Sequence, residues 1–146
     1  ARIALVVASA DGLDGLGQLL TLVTLAVAVG NLDMHAKNIS LLHPPNGPAR
    51  LAPAYDVVPM THYPGIDGRM AMSINDVYEH SRVSRTDLIA EAGRWGLPAA
   101  RAEQGIDHAV TVIRSTVQQE TPHPRASPGL PRLIDSLAAR IGSSSR

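Results

Sequence analysis

The chain has 146 residues, of which 45% are hydrophobic and 18% charged, an ordinary composition for one globular domain with a sizeable core. Its 13 basic and 13 acidic side chains balance, so no overall charge draws it to nucleic acid or to an anionic membrane. We therefore expect no direct nucleic acid binding by this chain. Cysteine is absent, which excludes disulfides and thiolate metal sites and fits a cytoplasmic protein.

The first segment, residues 1–15, carries no recognisable motif, and we treat it as an N-terminal segment of uncertain role. Near its end Gly12, Gly15 and Gly17 alternate with Asp and Leu, a pattern that predicts a loop. A phosphate-binding loop needs a strand before its glycines and a lysine after them, and neither surrounds these three. We therefore expect an ordinary loop.

The next segment, residues 19–29, is apolar on nearly every face, which predicts a helix buried on all sides. A strand is the alternative, because three of its residues are valines. The apolar run is shorter than the about 20 residues that a membrane helix needs. We therefore expect a core helix and no membrane span, and we expect it to support the polar loop that begins at Gly30.

That polar loop, GNLDMHAKNIS at residues 30–40, holds Asp33 and, five residues later, Asn38. A second aspartate, Asp56, follows a predicted turn, in LAPAYDVVP at residues 51–59. Phosphoryl transfer needs one carboxylate to orient the acceptor hydroxyl and hard oxygen ligands to fix magnesium on the phosphates. Single Asp and Asn residues commonly mark caps and turns, but this spacing after an apolar helix favours a phosphotransferase site.

Each polar residue of the loop has an expected role in that chemistry. Asp33 would orient the hydroxyl, while Asn38 and Asp56 would offer an amide oxygen and a carboxylate to Mg²⁺. Lys37 would supply positive charge where negative charge moves, and His35 would donate to phosphate or orient the loop.

Two predicted features lie on either side of Asp56. An Asn-Gly pair and several prolines at residues 43–48 predict a short hairpin that returns the chain so that Asp56 faces Asn38. The pattern of residues 60–83 predicts a loop that leads to a short strand or bound segment near residues 70–74. Just after this strand, Asp76, Glu79 and His80 are expected to lie in a solvated turn rather than to bind a metal.

The C-terminal part predicts three helices. Ser84 and Asp87 form a capping pattern at the start of the first, and Gly96 is a natural stop. Pro98 opens a second, longer helix, and apolar positions between residues 133 and 141 mark the last one. Trp95 is expected to be a core anchor between helices.

Four strings of this sequence resemble the C-terminal lobe of HipA-type serine/threonine kinases, the toxins of bacterial toxin–antitoxin pairs. GNLDMHAKNIS, LAPAYDVVP, RMAMSIN and EAGRWGL carry the likeness, which extends from about residue 19 to residue 117. The resemblance implies a mainly α fold with a small β-hairpin, the helical C-terminal lobe of a HipA-type, protein-kinase-like fold. We assign residues 16–142 to this lobe and residues 143–146 to a disordered tail.

The resemblance also implies roles for single residues and for ligands. Asp33 matches the catalytic base, and Asn38 and Asp56 match the magnesium ligands. The positions implied to bind the nucleotide are His35, Lys37, Asn38, Tyr55 and Asp56. The implied ligands and partners are ATP as phosphate donor, Mg²⁺, a protein Ser or Thr hydroxyl as acceptor and a HipB-like DNA-binding antitoxin. Autophosphorylation is implied as a means of control.

Two departures bear on this reading. In the family, a glycine loop and a lysine that binds the nucleotide lie upstream of this region. Residues 1–29 have no counterpart of this loop or this lysine, so the chain alone is expected to be inactive. Asp56 is followed by Val57 and Val58, so a Phe-Gly switch of the eukaryotic kinase type is excluded. Two alternatives stay open: a small-molecule phosphotransferase of the aminoglycoside or choline kinase type, and a non-catalytic, partner-binding fragment.

Overall fold

The computed structural model describes residues 2–143. Within that range four α-helices dominate, and two small antiparallel hairpins lie between the first and the second. The helices are α1 Arg2–Val29, α2 Arg85–Arg94, α3 Ala99–Gln119 and α4 Leu130–Gly142. The strands are β1 Leu41–Leu42 paired with β2 Arg50–Leu51, and β3 Arg69–Ile74 paired with β4 Val77–Glu79. The mainly α fold with a small hairpin is confirmed, and the second hairpin replaces the predicted single strand.

Helix α1 is longer than the apolar run that predicted it. It begins at Arg2 and continues to Val29, with a kink at Gly12, where φ is +57° and ψ is −143°. The loop predicted around Gly12, Gly15 and Gly17 is therefore wrong. Gly15 is buried, and a Cβ there would lie 3.0 Å from Val7 Cγ1, so the kinked helix packs closely at a position where a larger side chain would not fit.

Helix α1 is the central element of the core. By length and composition alone it could cross a membrane, a property that buried helices of globular domains share. Here it packs against α2, α3, α4 and β2, and Leu20 and Val27 are almost completely buried. The predicted core helix is therefore confirmed and the strand alternative is wrong.

The predicted caps and turns set the remaining helix bounds. The Ser84 side chain accepts a hydrogen bond from the Asp87 backbone N–H, and the Asp87 side chain accepts one from the Ser84 N–H, so α2 begins with a full capping box. Gly96 follows α2 with φ of +90°, and Pro98 is the N-cap of α3. Trp95 is half-buried, packs against the core and donates to Glu91 Oε1 at 2.8 Å.

The predicted boundaries of the N-terminal segment, the lobe and the tail stay predictions. The boundary between residues 15 and 16 falls inside α1 as the structure has it. Of the predicted tail, Ser143 donates its backbone N–H to the Ala139 carbonyl at 3.0 Å, and residues 144–146 lie outside the described residues.

Candidate active site

The candidate site begins where α1 ends, at Gly30. Its φ is +74°, and a Cβ at this position would lie 2.0 Å from Thr61 Oγ1, so only glycine fits. The Gly30 carbonyl accepts a hydrogen bond from the Thr61 backbone N–H at 3.1 Å. The chain therefore leaves the helix in a fixed direction.

The next residue, Asn31, organises the loop, and the sequence analysis assigned it no role of its own. It is only 4% exposed, and its backbone N–H donates to the Ala26 carbonyl at 2.8 Å. Its Oδ1 accepts from the Asp33 backbone N–H at 3.1 Å, and its Nδ2 makes a long hydrogen bond of 3.5 Å to the Asp56 carbonyl. One buried amide therefore joins the two segments that carry the candidate aspartates.

Asp33 presents its carboxylate to solvent on a fixed backbone. Its side chain is 58% exposed, and the preceding Leu32 carbonyl accepts from the Ala71 N–H of β3 at 2.8 Å. His35 lies close, with its Nε2 4.0 Å from Asp33 Oδ1. The Nδ1 atom of His35 is buried and has no hydrogen-bond partner among residues 2–143, so a ligand or water could complete this ring.

Asn38 is oriented by its own loop. Its Nδ2 donates to the Asp33 carbonyl at 3.0 Å, and its backbone N–H donates to the His35 carbonyl at 2.9 Å. Since the amide nitrogen is used in this way, Oδ1 is the atom left to bind a ligand. An amide oxygen held with a neighbouring carboxylate is a donor set that suits Mg²⁺.

Asp56 lies on a strained turn. It is exposed and has φ of +54°, a backbone conformation that few residues other than glycine adopt and that Asp and Asn tolerate best. Such positions cluster at functional sites, where the surrounding structure holds them. The contact between the Asp56 carbonyl and Asn31 links this turn to the Asp33 loop.

Tyr55 holds the same two segments together on the other side. Its hydroxyl donates to the Lys37 carbonyl and lies 2.6 Å from Ser40 Oγ, with which it shares a second hydrogen bond. The residue is 42% exposed. The hydroxyl is thus engaged within the protein, and the predicted contact with the nucleotide would have to use the ring face. Lys37 is exposed.

The structure therefore brings the predicted residues onto two neighbouring segments, and their roles stay predictions. Within residues 2–143 no three His, Asp or Glu side chains gather as a metal cluster. The roles of Asn38 and Asp56 as magnesium ligands stay predictions. The solvated turn predicted for residues 76–80 is wrong for His80, which is buried. Its Nε2 lies 2.8 Å from the carbonyl of Val27 in α1.

An open groove of about 590 Å³ lies beside Asp33, a volume typical of ligand sites. Arg69 and Tyr78 stand in its wall, with the Arg69 guanidinium carbon 4.3 Å from the Tyr78 ring centroid. Asp33 can therefore meet a molecule that occupies this groove. The groove is lined by Leu32, Asp33, Met60, Gly65, Ile66, Asp67, Arg69, Met70, Ala71 and Tyr78.

Comparison with known proteins gives a relative by sequence and a similar solved structure. "Putative kinase Y4mE" of Sinorhizobium fredii (strain NBRC 101917 / NGR234) is 35% identical over 80 residues, which cover 55% of this chain and 17% of that protein. Among solved structures, the chain is similar to one in the HipA, HipB and operator DNA complex of the Shewanella oneidensis MR-1 toxin–antitoxin system. The TM-score is 0.71 and the identity 19%, over 97% of this chain and 33% of that one. This likeness shows the fold.

The chain thus spans a third or less of these relatives. The family model described as "HipA-like C-terminal domain" matches residues 1–117. The match ends at the residue expected from the sequence and begins earlier than residue 19, so the first half of α1 is part of the family pattern. The chain belongs to the family of HipA-like C-terminal domains.

Proposed function

We propose that this chain is the acceptor- and magnesium-binding lobe of a serine/threonine protein kinase. The observation that carries the proposal is that Asn31 bonds to both Asp33 and Asp56 while Asn38 bonds to Asp33, which connects the loop of Asp33 and Asn38 to the turn of Asp56. Family membership and the kinase name of a relative support the same activity. The reaction would transfer the γ-phosphate of ATP to a Ser or Thr hydroxyl of a protein.

In this proposal Asp33 is the catalytic base. Its exposed carboxylate lies at the edge of the groove, where it can accept a hydrogen bond from the acceptor hydroxyl and orient the oxygen toward the phosphate. The Asp33 backbone is held on both sides, because its N–H donates to Asn31 Oδ1 and its carbonyl accepts from Asn38 Nδ2. Such positioning is the main contribution that a protein makes to phosphoryl transfer.

Asn38 Oδ1 and the Asp56 carboxylate would hold Mg²⁺. When bound there, the ion would neutralise charge on the ATP phosphates. His35 would donate to a phosphate oxygen, and Lys37 would add positive charge at the same place. Tyr55 would border the nucleotide with its ring while its hydroxyl fixes the loop.

The whole protein would supply what this chain does not carry. We propose that a further part, of the kind that the longer relatives have room for, cradles the ATP phosphates. We further propose a HipB-like, DNA-binding antitoxin as partner, because a solved structure with a similar fold belongs to a HipA, HipB and operator DNA complex. Control by autophosphorylation and a cytoplasmic location complete the proposal.

Calorimetric titration with ATP, in the presence and absence of Mg²⁺, tests the proposed function. We expect magnesium-dependent binding that weakens in Asp56→Asn. Asp76→Asn is the matched control, because Asp76 is also an exposed aspartate with positive φ, on a turn of the second hairpin. Binding without any magnesium dependence, or equal loss in both variants, would contradict the proposal. A folded chain that binds no ATP would favour a partner-binding role.

A further inference from the structure

His80 is the buried histidine of the fold as described for residues 2–143. It follows β4, starts the short 3₁₀ helix His80–Arg82, and is only 3% exposed. Its Nε2 lies 2.8 Å from the carbonyl oxygen of Val27. Because a carbonyl oxygen only accepts hydrogen bonds, Nε2 must carry the proton and donate it.

The Val27 carbonyl lies at the end of α1, close to the start of the candidate active-site loop. It belongs to the last turn of α1, where carbonyls lack partners within the helix. Outside regular helix bonds it accepts from one backbone N–H, that of Gly30, at 3.3 Å, within the part of the chain that the structure describes. Gly30 begins the candidate active-site loop, and Asn31 follows it with its own bond to Ala26. The His80 ring therefore holds the part of α1 from which the loop departs.

His80 is in turn held by other elements. Its backbone N–H donates to the Gly68 carbonyl at 3.0 Å, next to the first residue of β3. Its carbonyl accepts from Arg140 of α4 at 3.1 Å, and the same guanidinium donates to the Ser81 carbonyl. Since α4 follows residue 117, this support comes from a part of the chain beyond the family match.

We propose that His80, held by Arg140, is a positioning residue for the candidate active site: its bond to Val27 fixes the end of α1 and so the direction of the Asp33 loop. The functional meaning of this role rests on the proposed function. The positioning itself can be measured without kinase activity. Neither His80 nor Arg140 lines the groove beside Asp33.

The test compares two substitutions of His80 by amide hydrogen exchange. His80→Gln keeps a side-chain N–H donor, whereas His80→Leu is apolar and donates nothing. The rates of Asn31, Asp33 and Asn38 are compared with those of Ile106 and Val110 in α3, under conditions that match global stability. We expect His80→Leu to raise exchange in the loop by about ten-fold, as the loss of one hydrogen bond allows. His80→Gln should recover most of the protection.

The controls separate positioning from general loss of stability. His108→Gln changes an exposed histidine of α3 and should leave the loop unchanged. If His80→Leu does not fold, Arg140→Gln removes the support from outside the site, and we expect the same loop-specific increase. Equal increases in the loop and in α3, or no increase in the loop, would overturn the proposal. If the loop responds but the wild-type chain binds no Mg²⁺ and ATP, the positioning role stands and the proposed magnesium site of this chain fails.

Discussion

Asn31 Oδ1 accepts a hydrogen bond from the backbone N–H of Asp33 at 3.1 Å, and this buried contact sets the geometry of the site. Removing the amide by Asn31→Ala would leave the Asp33 N–H and the Asp56 carbonyl without their partner. We expect a loss of about 1–3 kcal/mol in the free energy of unfolding, measured by urea denaturation. Asn46→Ala, in the exposed tip of the first hairpin, is the control, and a loss no larger than in this control would contradict the role of Asn31.

Gly30 gives a second test, because two separate effects exclude a side chain there. Gly30→Ala would strain the backbone at φ of +74° and bring Cβ against Thr61 Oγ1. We expect a destabilisation of more than about 1 kcal/mol. Gly47→Ala is the control, since that position has neither positive φ nor a neighbour closer than 3.9 Å.

The two effects at Gly30 can be separated with Thr61→Ala. Thr61 Oγ1 is buried and has no partner in the described part of the chain, so its removal alone should cost little. In the double variant Gly30→Ala with Thr61→Ala the clash is reduced while the φ strain remains. We therefore expect partial recovery in a double-mutant cycle. Additive effects of the two substitutions would show that the close approach has no energetic weight.

Tyr55→Phe tests the connection between the two segments of the site. The substitution keeps the ring and removes the hydroxyl bonds to the Lys37 carbonyl and to Ser40 Oγ. We expect about 0.5–1.5 kcal/mol of lost stability and faster hydrogen exchange in the loop around Lys37. Tyr63→Phe removes a hydroxyl from a more exposed tyrosine and should change neither quantity. If both variants showed the same stability and the same exchange rates, Tyr55 would not connect the two segments.

His80 predicts a pH dependence of stability. Burial lowers the pKa of His80 below its ordinary 6.5, Arg140 acts in the same direction, and the Val27 carbonyl and Glu79 oppose this. The unfolded chain therefore takes up this proton at higher pH than the folded chain does. The stabilisation is complete above pH 6.5 and decreases as the pH falls from 6.5 to the folded pKa.

Urea denaturation between pH 7.5 and pH 5.0 measures this contribution, a range chosen around the histidine titration. His80→Gln should show a shallower decrease in stability on acidification than the wild type. His108→Gln should keep the steeper wild-type slope, because His108 is exposed. A His80→Gln slope as steep as that of the wild type would contradict the assignment.

The parts of the fold that depend on neighbours in sequence were predictable. Ser84, Asp87, Gly96 and Pro98 act through local capping, and the Asn-Gly pair between β1 and β2 acts through local turn preference. The spacing of Asp33, Asn38 and Asp56 likewise identified the segments that the structure places side by side. Their assignment to catalysis and to magnesium stays a prediction.

The features that sequence analysis missed depend on contacts between distant residues. Helix α1 runs through Gly12 and Gly15 although glycine has a low helix propensity. Gly15 is explained by its close packing against Val7, which leaves no room for a larger side chain. His80 is buried because its ring reaches a carbonyl 53 residues earlier in the chain. Asn31 lies in the string that predicted the phosphotransferase site, but only the fold brings the Asp56 carbonyl to its amide.

Paramagnetic line broadening by Mn²⁺, used as a probe for the magnesium position with ATP present, tests the proposed metal site directly. We expect the amide signals near Asn38 and Asp56 to broaden first and together. Asn38→Ala and Asp56→Asn should each abolish this effect, while Asp76→Asn leaves it intact. Broadening that is uniform over the chain, or that survives both substitutions, would contradict a metal site formed by these two residues.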